Sequence, residues 1–355
     1  MNVVIAGGGT GGHLFVGIAL AEELIARDPE THILFIGTKR EMETTALSKK
    51  GFPLKRIAAE GIKGRGICRR IRSVAKIPWG IIESGFFLWQ FKTDIVIGVG
   101  GYSSGPVAIA ALFMRIHIVI HEQNLVPGLT NRLLGRFADR IFVSFAESVR
   151  HFDPKRTIVT GNPVRREILS GKVLTADPKH FTVLVVGGSQ GAHRINKVVV
   201  DALQILNRVP DIFFIHQTGQ KDATWVTGAY RELGRNDQVK PFFDDMGTIY
   251  GSANLVVCRA GATTVAEITA LGKAAIFIPF PFATDNHQEL NALSLAEQGA
   301  AELIREVDLN GKALAERILY YKEHREELKA IGRKAGSFGR PDAAKEIVEE
   351  ILELI

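Results

Sequence analysis

The chain has 355 residues, 46% of them hydrophobic, and a formal net charge of +6. That length predicts two domains rather than one core, and the apolar fraction is that of a soluble globular protein. Cys68 and Cys258 lie far apart and make no metal or redox motif, which fits a reducing, cytoplasmic compartment.

Met1-Asn2 leads directly into an apolar strand, so no signal peptide is expected. Hydrophobic periodicity predicts strands over 2–6, 32–36, 94–97, 117–120 and 140–143, with helices over about 12–27, 40–50, 73–91, 104–114 and 128–136 between them. A second series predicts strands over 181–186, 212–216, 239–241, 255–257 and 275–278, with helices over about 191–207, 222–233, 245–250, 263–271 and 286–297. Residues from about 311 to 355 read as helical throughout. Strand-helix alternation implies parallel sheets covered on both faces. The expected architecture is α/β: two Rossmann-like, doubly wound domains facing across a cleft. A glycine and a proline in GNPVR (161–165) mark the boundary. The expected divisions are 1–163, 164–340 and a C-terminal helix at 341–355 that packs back on the first domain. No uninterrupted apolar run reaches the roughly 18 to 20 residues that span a bilayer.

A glycine-rich turn occurs twice. Val3-Val4-Ile5-Ala6 runs into GGGTGGH (7–13), and Val183-Leu184-Val185-Val186 runs into GGSQGAH (187–193). Each turn aims backbone N–H groups and a helix N-terminus at one point, which suits a phosphate. Every glycine cluster (7–12, 98–105, 187–191 and 261) falls at a strand's carboxyl end, where open α/β sheets bind ligands. GGGTGGH formally contains the dinucleotide pattern at Gly7, Gly9 and Gly12. That reading wants an acid at the end of the second strand. The strand ends Ile36-Gly37-Thr38-Lys39-Arg40 instead, which argues against NAD and leaves only an NADP phosphate open.

His13 opens a helix directly after the first turn, where the helix dipole favours a neutral imidazole able to take a proton from a hydroxyl. The plainer alternative is a histidine that caps or packs the turn. In CRAGATTVAE (258–267), small residues let a ligand approach the N–H groups that open a helix. Glu267, read as lying near the end of its first turn, can accept from two ribose hydroxyls or simply cap the helix. After the proline-rich loop at 279–283, Asp285, Asn286, Gln288 and Asn291 suit sugar hydroxyls, or cap the helix that follows, Asp285 above all.

Between 61 and 82 stand Lys63, Arg65, Arg69, Arg70, Arg72 and Lys76 with no acid, followed by the aromatic-rich 77–91. That pattern fits a helix resting on an anionic inner-membrane surface, or a crossover helix with a basic solvent face. No nucleic-acid recognition module is present.

The ordered set GGGTGGH, GGYSSGP (100–106), HEQN (121–124), GLTN (128–131), GNPVR, GGSQGA, DDM (244–246), CRAGATTVAE and DNHQELNA (285–292) resembles the GT-B glycosyltransferases. Within them it is similar to the bacterial N-acetylglucosaminyltransferases that convert lipid I to lipid II in peptidoglycan synthesis. The resemblance spans nearly the whole chain. It implies that the second domain binds UDP-N-acetylglucosamine (UDP-GlcNAc). Arg165 and Ser189 would contact the diphosphate, and Phe243 the uracil through its backbone. Ala262, Thr263, Thr264, Val265, Ala266 and Glu267 would contact the nucleotide, and Gln288 the sugar hydroxyls. The 279–285 loop is one residue longer than the family pattern, which places Gln288 and His287 in competition. Thr10, Gly11, Gly12 and Asn124 would meet the donor sugar from the first domain. Tyr102, His121, Glu122, Asn131 and Asn196 match family positions associated with activity.

The reaction so implied is an inverting displacement by the acceptor's 4-hydroxyl, with His13 as base and Glu122 in reserve, acting directly or through His121. Helix N-termini and Arg165 would stabilise the leaving UDP. With no Asp-x-Asp motif and no carboxylate cluster, no metal or other cofactor is expected. The glycine turns at 7–12 and 100–105 would hold the diphosphate of the lipid I acceptor, and the enzyme would sit peripherally on the cytoplasmic face of the membrane, among other cell-wall synthesis proteins. Another nucleotide-sugar enzyme on the same fold, an epimerase or a diacylglycerol glucosyltransferase, and a non-catalytic membrane scaffold are the alternatives.

Overall fold

A computed structural model of the chain describes residues 1–8, 11–38, 41–59, 76–171, 180–188 and 191–355. The chain divides into two compact units, Met1–Arg165 with Pro341–Ile355, and Arg166–Arg340. Val164 and Arg165 therefore belong to the first unit, not the second.

The first unit runs β1 (Asn2–Ala6), α1 (Gly11–Arg27), β2 (His32–Gly37), α2 (Glu41–Lys49), β3 (Leu54–Arg56), α3 (Ile77–Phe91), β4 (Ile95–Gly98), α4 (Ser104–Met114), β5 (His117–Glu122), α5 (Leu129–Leu134), β6 (Arg140–Val143), a 3₁₀ turn (Ala146–His151) and β7 (Thr157–Val159). Among the described residues these strands form a parallel sheet in the order β3-β2-β1-β4-β5-β6-β7. Because side chains alternate along a strand, Val3 and Ile5 pack with α1 on one face. Val4 and Ala6 pack with α4 on the other.

The second unit runs α6 (Arg166–Leu169), β8 (Phe181–Val186), α7 (His193–Leu206), β9 (Ile212–Gln217), α8 (Ala223–Glu232), β10 (Gln238–Lys240), α9 (Met246–Ser252), β11 (Leu255–Cys258), α10 (Ala262–Ala270), β12 (Ala275–Phe277), a 3₁₀ turn (Thr284–Asn286), α11 (His287–Ala296), β13 (Glu302–Leu303), α12 (Gly311–Glu323) and α13 (Arg325–Gly336). Its described strands are likewise parallel, in the order β10-β9-β8-β11-β12-β13. The chain then returns. Helix α14 (Ala343–Leu352) buries Ile347, Val348 and Ile351 in the cluster that holds Val3, Ile5 and Leu24. Arg27 bonds Glu349 across this contact at 2.6 Å.

Three strands escape sequence periodicity: β3, β7 and β13. Each is two or three residues long and lies at a sheet edge, where pairing with an existing strand, not an apolar pattern, defines it. The helix expected over 128–136 stops at Leu134. The Gly135 that follows lies so close to Phe152 that a Cβ there would sit 2.7 Å from the ring. The first four residues of the helix expected over 73–91 are not helical or lie outside the described residues, and α3 starts at Ile77 with a proline in its first turn.

Ile347→Ala is expected to lower the stability of the first unit by about 2–5 kcal/mol, the usual result of emptying a fully buried aliphatic site. A urea unfolding curve followed by tryptophan fluorescence checks this, and an unchanged midpoint would mean α14 contributes nothing there.

Candidate functional site

Register brings the first unit's glycine turns together. Ala6 of β1 pairs with Gly98 of β4, so the turns that follow leave the sheet side by side. They touch backbone to backbone. A Cβ on Gly101 would lie 2.4 Å from the Gly8 carbonyl oxygen, and one on Gly7 would lie 2.7 Å from that of Gly100. Gly100 and Gly101 also have φ of +87° and +83°, a left-handed conformation that side chains disfavour.

His13, the third residue of α1, lies against this joint: a Cβ on Gly100 would be 3.0 Å from both Cδ2 and Nε2 of the imidazole. The Asn131 amide nitrogen lies 3.5 Å from the same point. It also donates to the His121 carbonyl (3.0 Å) and to Glu122 Oε2 (2.9 Å). Glu122, at the buried end of β5, accepts from four donors. Oε1 takes the Asn124 backbone N–H (3.0 Å) and side-chain amide (3.3 Å), and Oε2 takes the Gly128 N–H (3.1 Å) and Asn131. Burial pushes the Glu122 carboxyl up, and these bonds pull it back. His121 is fully buried between the Gly161 carbonyl at Nε2 (3.0 Å) and the Gln123 amide at Nδ1 (3.0 Å). Those partners fix the neutral tautomer with the proton on Nε2. Burial holds its pKa at about 4 against the Gly161 bond.

An acid does reach the end of β2, but from α2. Glu43 is buried and accepts the Thr38 N–H (2.9 Å) and hydroxyl (3.1 Å). A Cβ on Gly8 would strike its carboxylate at 2.5 Å. This buried carboxylate is engaged by Thr38, so it does not supply the exposed ribose acceptor of a dinucleotide site. Lys39 and Arg40 lie outside the described residues, as do Thr10 and Ser189.

In the second unit, Gly261 precedes α10, whose N-terminus carries Ala262, Thr263 and Thr264. Glu267 stands in the second turn of this helix rather than the first, so it does not cap it; it is buried and accepts from the Tyr250 hydroxyl at 3.0 Å. Arg259 ties the end of β11 to the following loop, donating to the carbonyls of Ile278 and Pro279 (3.0 Å each) and pairing with Glu306 at 2.6 Å. Gln288 Oε1 accepts the Phe280 N–H at 3.0 Å, and the Asn291 amide donates to the Ala260 carbonyl at 3.3 Å. The N-cap position of α11 is Asn286, not Asp285, and both have left-handed φ. Asn196 is fully buried. Its amide donates to the Thr218 carbonyl and to Asp222 (2.8 Å each), and its oxygen faces His216 Nε2 at 3.0 Å. It is a tie beneath the second glycine turn. Burial holds His216 at about 3.

Arg165 stacks its guanidinium over Phe15 at 4.2 Å, within the first unit. Gln123 lies within the HEQN motif, whereas Glu43 and Gln217 carried no motif signal of their own. The available hint was a polar residue closing an apolar strand, as in Ile212-Phe213-Phe214-Ile215-His216-Gln217. Among the described residues, no group of three or more His, Cys, Asp or Glu is placed to hold a metal ion, and no helix is long and apolar enough to cross a membrane.

Two Rossmann-like domains, each with a glycine turn at the carboxyl end of its first strand, are the architecture of the GT-B glycosyltransferases. Residues 3–143 match the glycosyltransferase family 28 N-terminal domain and residues 182–347 the family 28 C-terminal domain. The chain belongs to glycosyltransferase family 28. It is 48% identical over 357 residues to the UDP-N-acetylglucosamine--N-acetylmuramyl-(pentapeptide) pyrophosphoryl-undecaprenol N-acetylglucosamine transferase of Syntrophus aciditrophicus, covering 100% of this chain and 99% of that one. The Citrifermentans bemidjiense enzyme of the same name is 48% identical over 355 residues, covering 99% of each. The crystal structure of Acinetobacter baumannii MurG superposes with a TM-score of 0.76 at 31% identity, covering 99% of both chains. A Neisseria meningitidis UDP-GlcNAc 2-epimerase bound to UDP-GlcNAc shares the fold, with a TM-score of 0.71 at 15% identity over 99% of this chain and 100% of that one.

The two buried histidines give a signed pH dependence. Unfolded, each takes a proton near pH 6.5; folded, only near 4 and 3. Their contribution to stability is complete above pH 6.5 and is lost as the pH falls through the folded values. Each adds a slope of up to about 1.4 kcal/mol per pH unit. Glu122 acts in the opposite sense, losing its contribution as the pH rises through its raised value. Imidazole NMR shifts should show two histidines that do not titrate between pH 7 and 5, and a full set of titrating rings would contradict the burial.

Proposed function

We propose that this chain transfers N-acetylglucosamine from UDP-GlcNAc to the 4-hydroxyl of undecaprenyl-diphosphate-linked N-acetylmuramoyl-pentapeptide, the lipid I to lipid II step of peptidoglycan synthesis. The observation that carries this reading is end-to-end similarity, at 48% identity, to enzymes named for that transfer. The epimerase alternative rests on a likeness of 15% identity, which speaks to the fold alone.

His13 is the general base in this mechanism. It stands at a helix N-terminus, which favours the neutral form, and its ring lies against Gly100 at the joint of the two glycine turns. Glu122 we assign as the organiser of the 123–131 loop rather than as a base: four donors already use its oxygens, and taking a proton would weaken those bonds. The hydroxyl attacks the anomeric carbon opposite UDP, passes its proton to His13, and leaves an inverted β-linkage. Negative charge gathering on UDP is met by the N-terminus of α10 and the second glycine turn. Glu267, steadied by Tyr250, takes the ribose hydroxyls, and Gln288, which also holds the 279–283 loop, takes the sugar. Because Glu43 places a carboxylate under Gly8, we assign the acceptor's diphosphate to the 100–105 turn rather than to the 7–12 turn.

Membrane attachment is the second part of the proposal. Helices α3 and α4 leave Trp79, Ile82, Phe86, Trp89 and Phe113 exposed, Trp89 at 70% and Phe113 at 79%. Phe86 and Trp89 lie ring to ring at 6.4 Å, and a bilayer interface accommodates aromatic rings of this kind. The cations at 63, 65, 69, 70 and 72 precede it in sequence and lie outside the described residues.

Radiolabel transfer from UDP-GlcNAc to a lipid I analogue tests the chemistry. Wild type should transfer, and His13→Ala should lose about 10²-fold or more, the magnitude of general-base catalysis. Equal rates would remove His13 from the role, and UDP-GlcNAc binding without transfer would sink the assigned reaction. For the membrane, Trp89→Ser with Phe113→Ser, and separately charge reversal at Arg69, Arg70 and Arg72, should each weaken co-sedimentation with phosphatidylglycerol vesicles. Undiminished binding by both variants would refute the attachment surface.

A further inference from the structure

Gln217 closes β9 at a particular level of the second sheet. Its register partner on one side is Val186, the last residue before the second glycine turn, and on the other Lys240, the last residue of β10 before the loop that carries Phe243. The side chain is buried and bonds into both loops. Oε1 accepts the Phe243 backbone N–H at 3.1 Å, and Nε2 faces the Gly188 carbonyl at 3.5 Å. The amide has one chemically consistent orientation, because its oxygen meets a donor and its nitrogen an acceptor. The neighbouring backbone tightens the same joint. Thr218 N–H donates to Lys240 O and Gly219 N–H to Pro241 O (3.0 Å each), while Gly191 lies so near the Thr218 carbonyl that a Cβ would come within 2.4 Å.

We infer that Gln217 is a positioning residue for nucleobase selection, one that fixes the base-reading loop relative to the glycine turn that holds the diphosphate. This rests on the donor reading above, in which Phe243 meets uracil through its backbone. With its N–H spent on Gln217, Phe243 has its carbonyl to offer. A carbonyl accepts from N3–H of uracil and finds only another acceptor at N3 of cytosine. Gln217 thus turns a pliable backbone contact into a discriminating one, without touching the nucleotide.

Two variants separate the arms of the amide. Gln217→Met removes both bonds. Gln217→Glu keeps an acceptor for Phe243 but places a carboxylate beside the diphosphate turn. Binding of UDP and of CDP to the full chain is measured by calorimetry. Gln217→Met should weaken UDP about tenfold, the size of one lost hydrogen bond, while CDP changes little, so that the preference for UDP collapses. Gln217→Glu should weaken both nucleotides and keep the preference. Equal weakening of UDP and CDP by Gln217→Met indicates a merely structural residue and overturns the inference, as does an unchanged preference. Should Gln217→Met fail to fold, Gln217→Glu decides: a lost preference, or undiminished affinity for both nucleotides, overturns it. A wild-type chain that does not bind UDP would overturn the donor reading and this inference with it, which distinguishes the two failures.

Discussion

The close approach of backbone to backbone at the ends of β1 and β4 is the constraint on which the first unit's site depends. Gly101 can approach the Gly8 carbonyl only because it carries hydrogen where any other residue carries carbon. That contact lets the two turns act as one surface. It also leaves the Gly100 Cα bare for the His13 ring, and brings Asn131 within reach of the same point. Glu43, bonded to Thr38, packs against Gly8, and Glu122 secures the loop beside the joint. A Cβ introduced at this joint would displace both turns and the His13 ring beside them, not merely one loop.

Both units hold the loops at their strand ends by the same physical device. A polar pair closes an apolar strand, His121-Glu122 followed by Gln123 on β5, and His216-Gln217 on β9. In each case the histidine is fully buried and neutral, bridging an acceptor and a donor, so it adds two directed bonds without bringing a charge into the interior. Neighbouring amides then reach sideways into the adjacent loops: Gln123 to the Val99 carbonyl, Gln217 to Phe243. Rigid strand ends in this way pass their precision to loops that have no regular structure of their own.

Much of the fold was legible in the sequence, for reasons specific to its elements. β1 and β8 are continuous apolar runs because both their faces are covered, and glycines follow them because the chain must turn sharply toward a helix. The edge strands β3, β7 and β13 were not legible, because a neighbour's hydrogen bonds, rather than their composition, make them strands. Among the candidate site residues, His13 and Glu267 stood out through position beside a turn or in a helix. Asn196, grouped from sequence with functional residues, is a buried tie whose bonds are all long-range. Arg165 was expected with the second domain and stacks on Phe15 of the first.

The sequence by itself determined the two series of parallel strands, the glycine turns at their carboxyl ends and the family to which their ordered motifs belong, because these are properties of local pattern and spacing. Only the tertiary structure decided which polar side chains are engaged. Glu43, thirty-odd residues from the first glycine turn, lies under it; Glu122 has both oxygens in use; and Gln217 spans two loops that are distant in the chain. Hydrogen bonds between residues far apart in sequence depend on sheet order and register, and no local pattern encodes them.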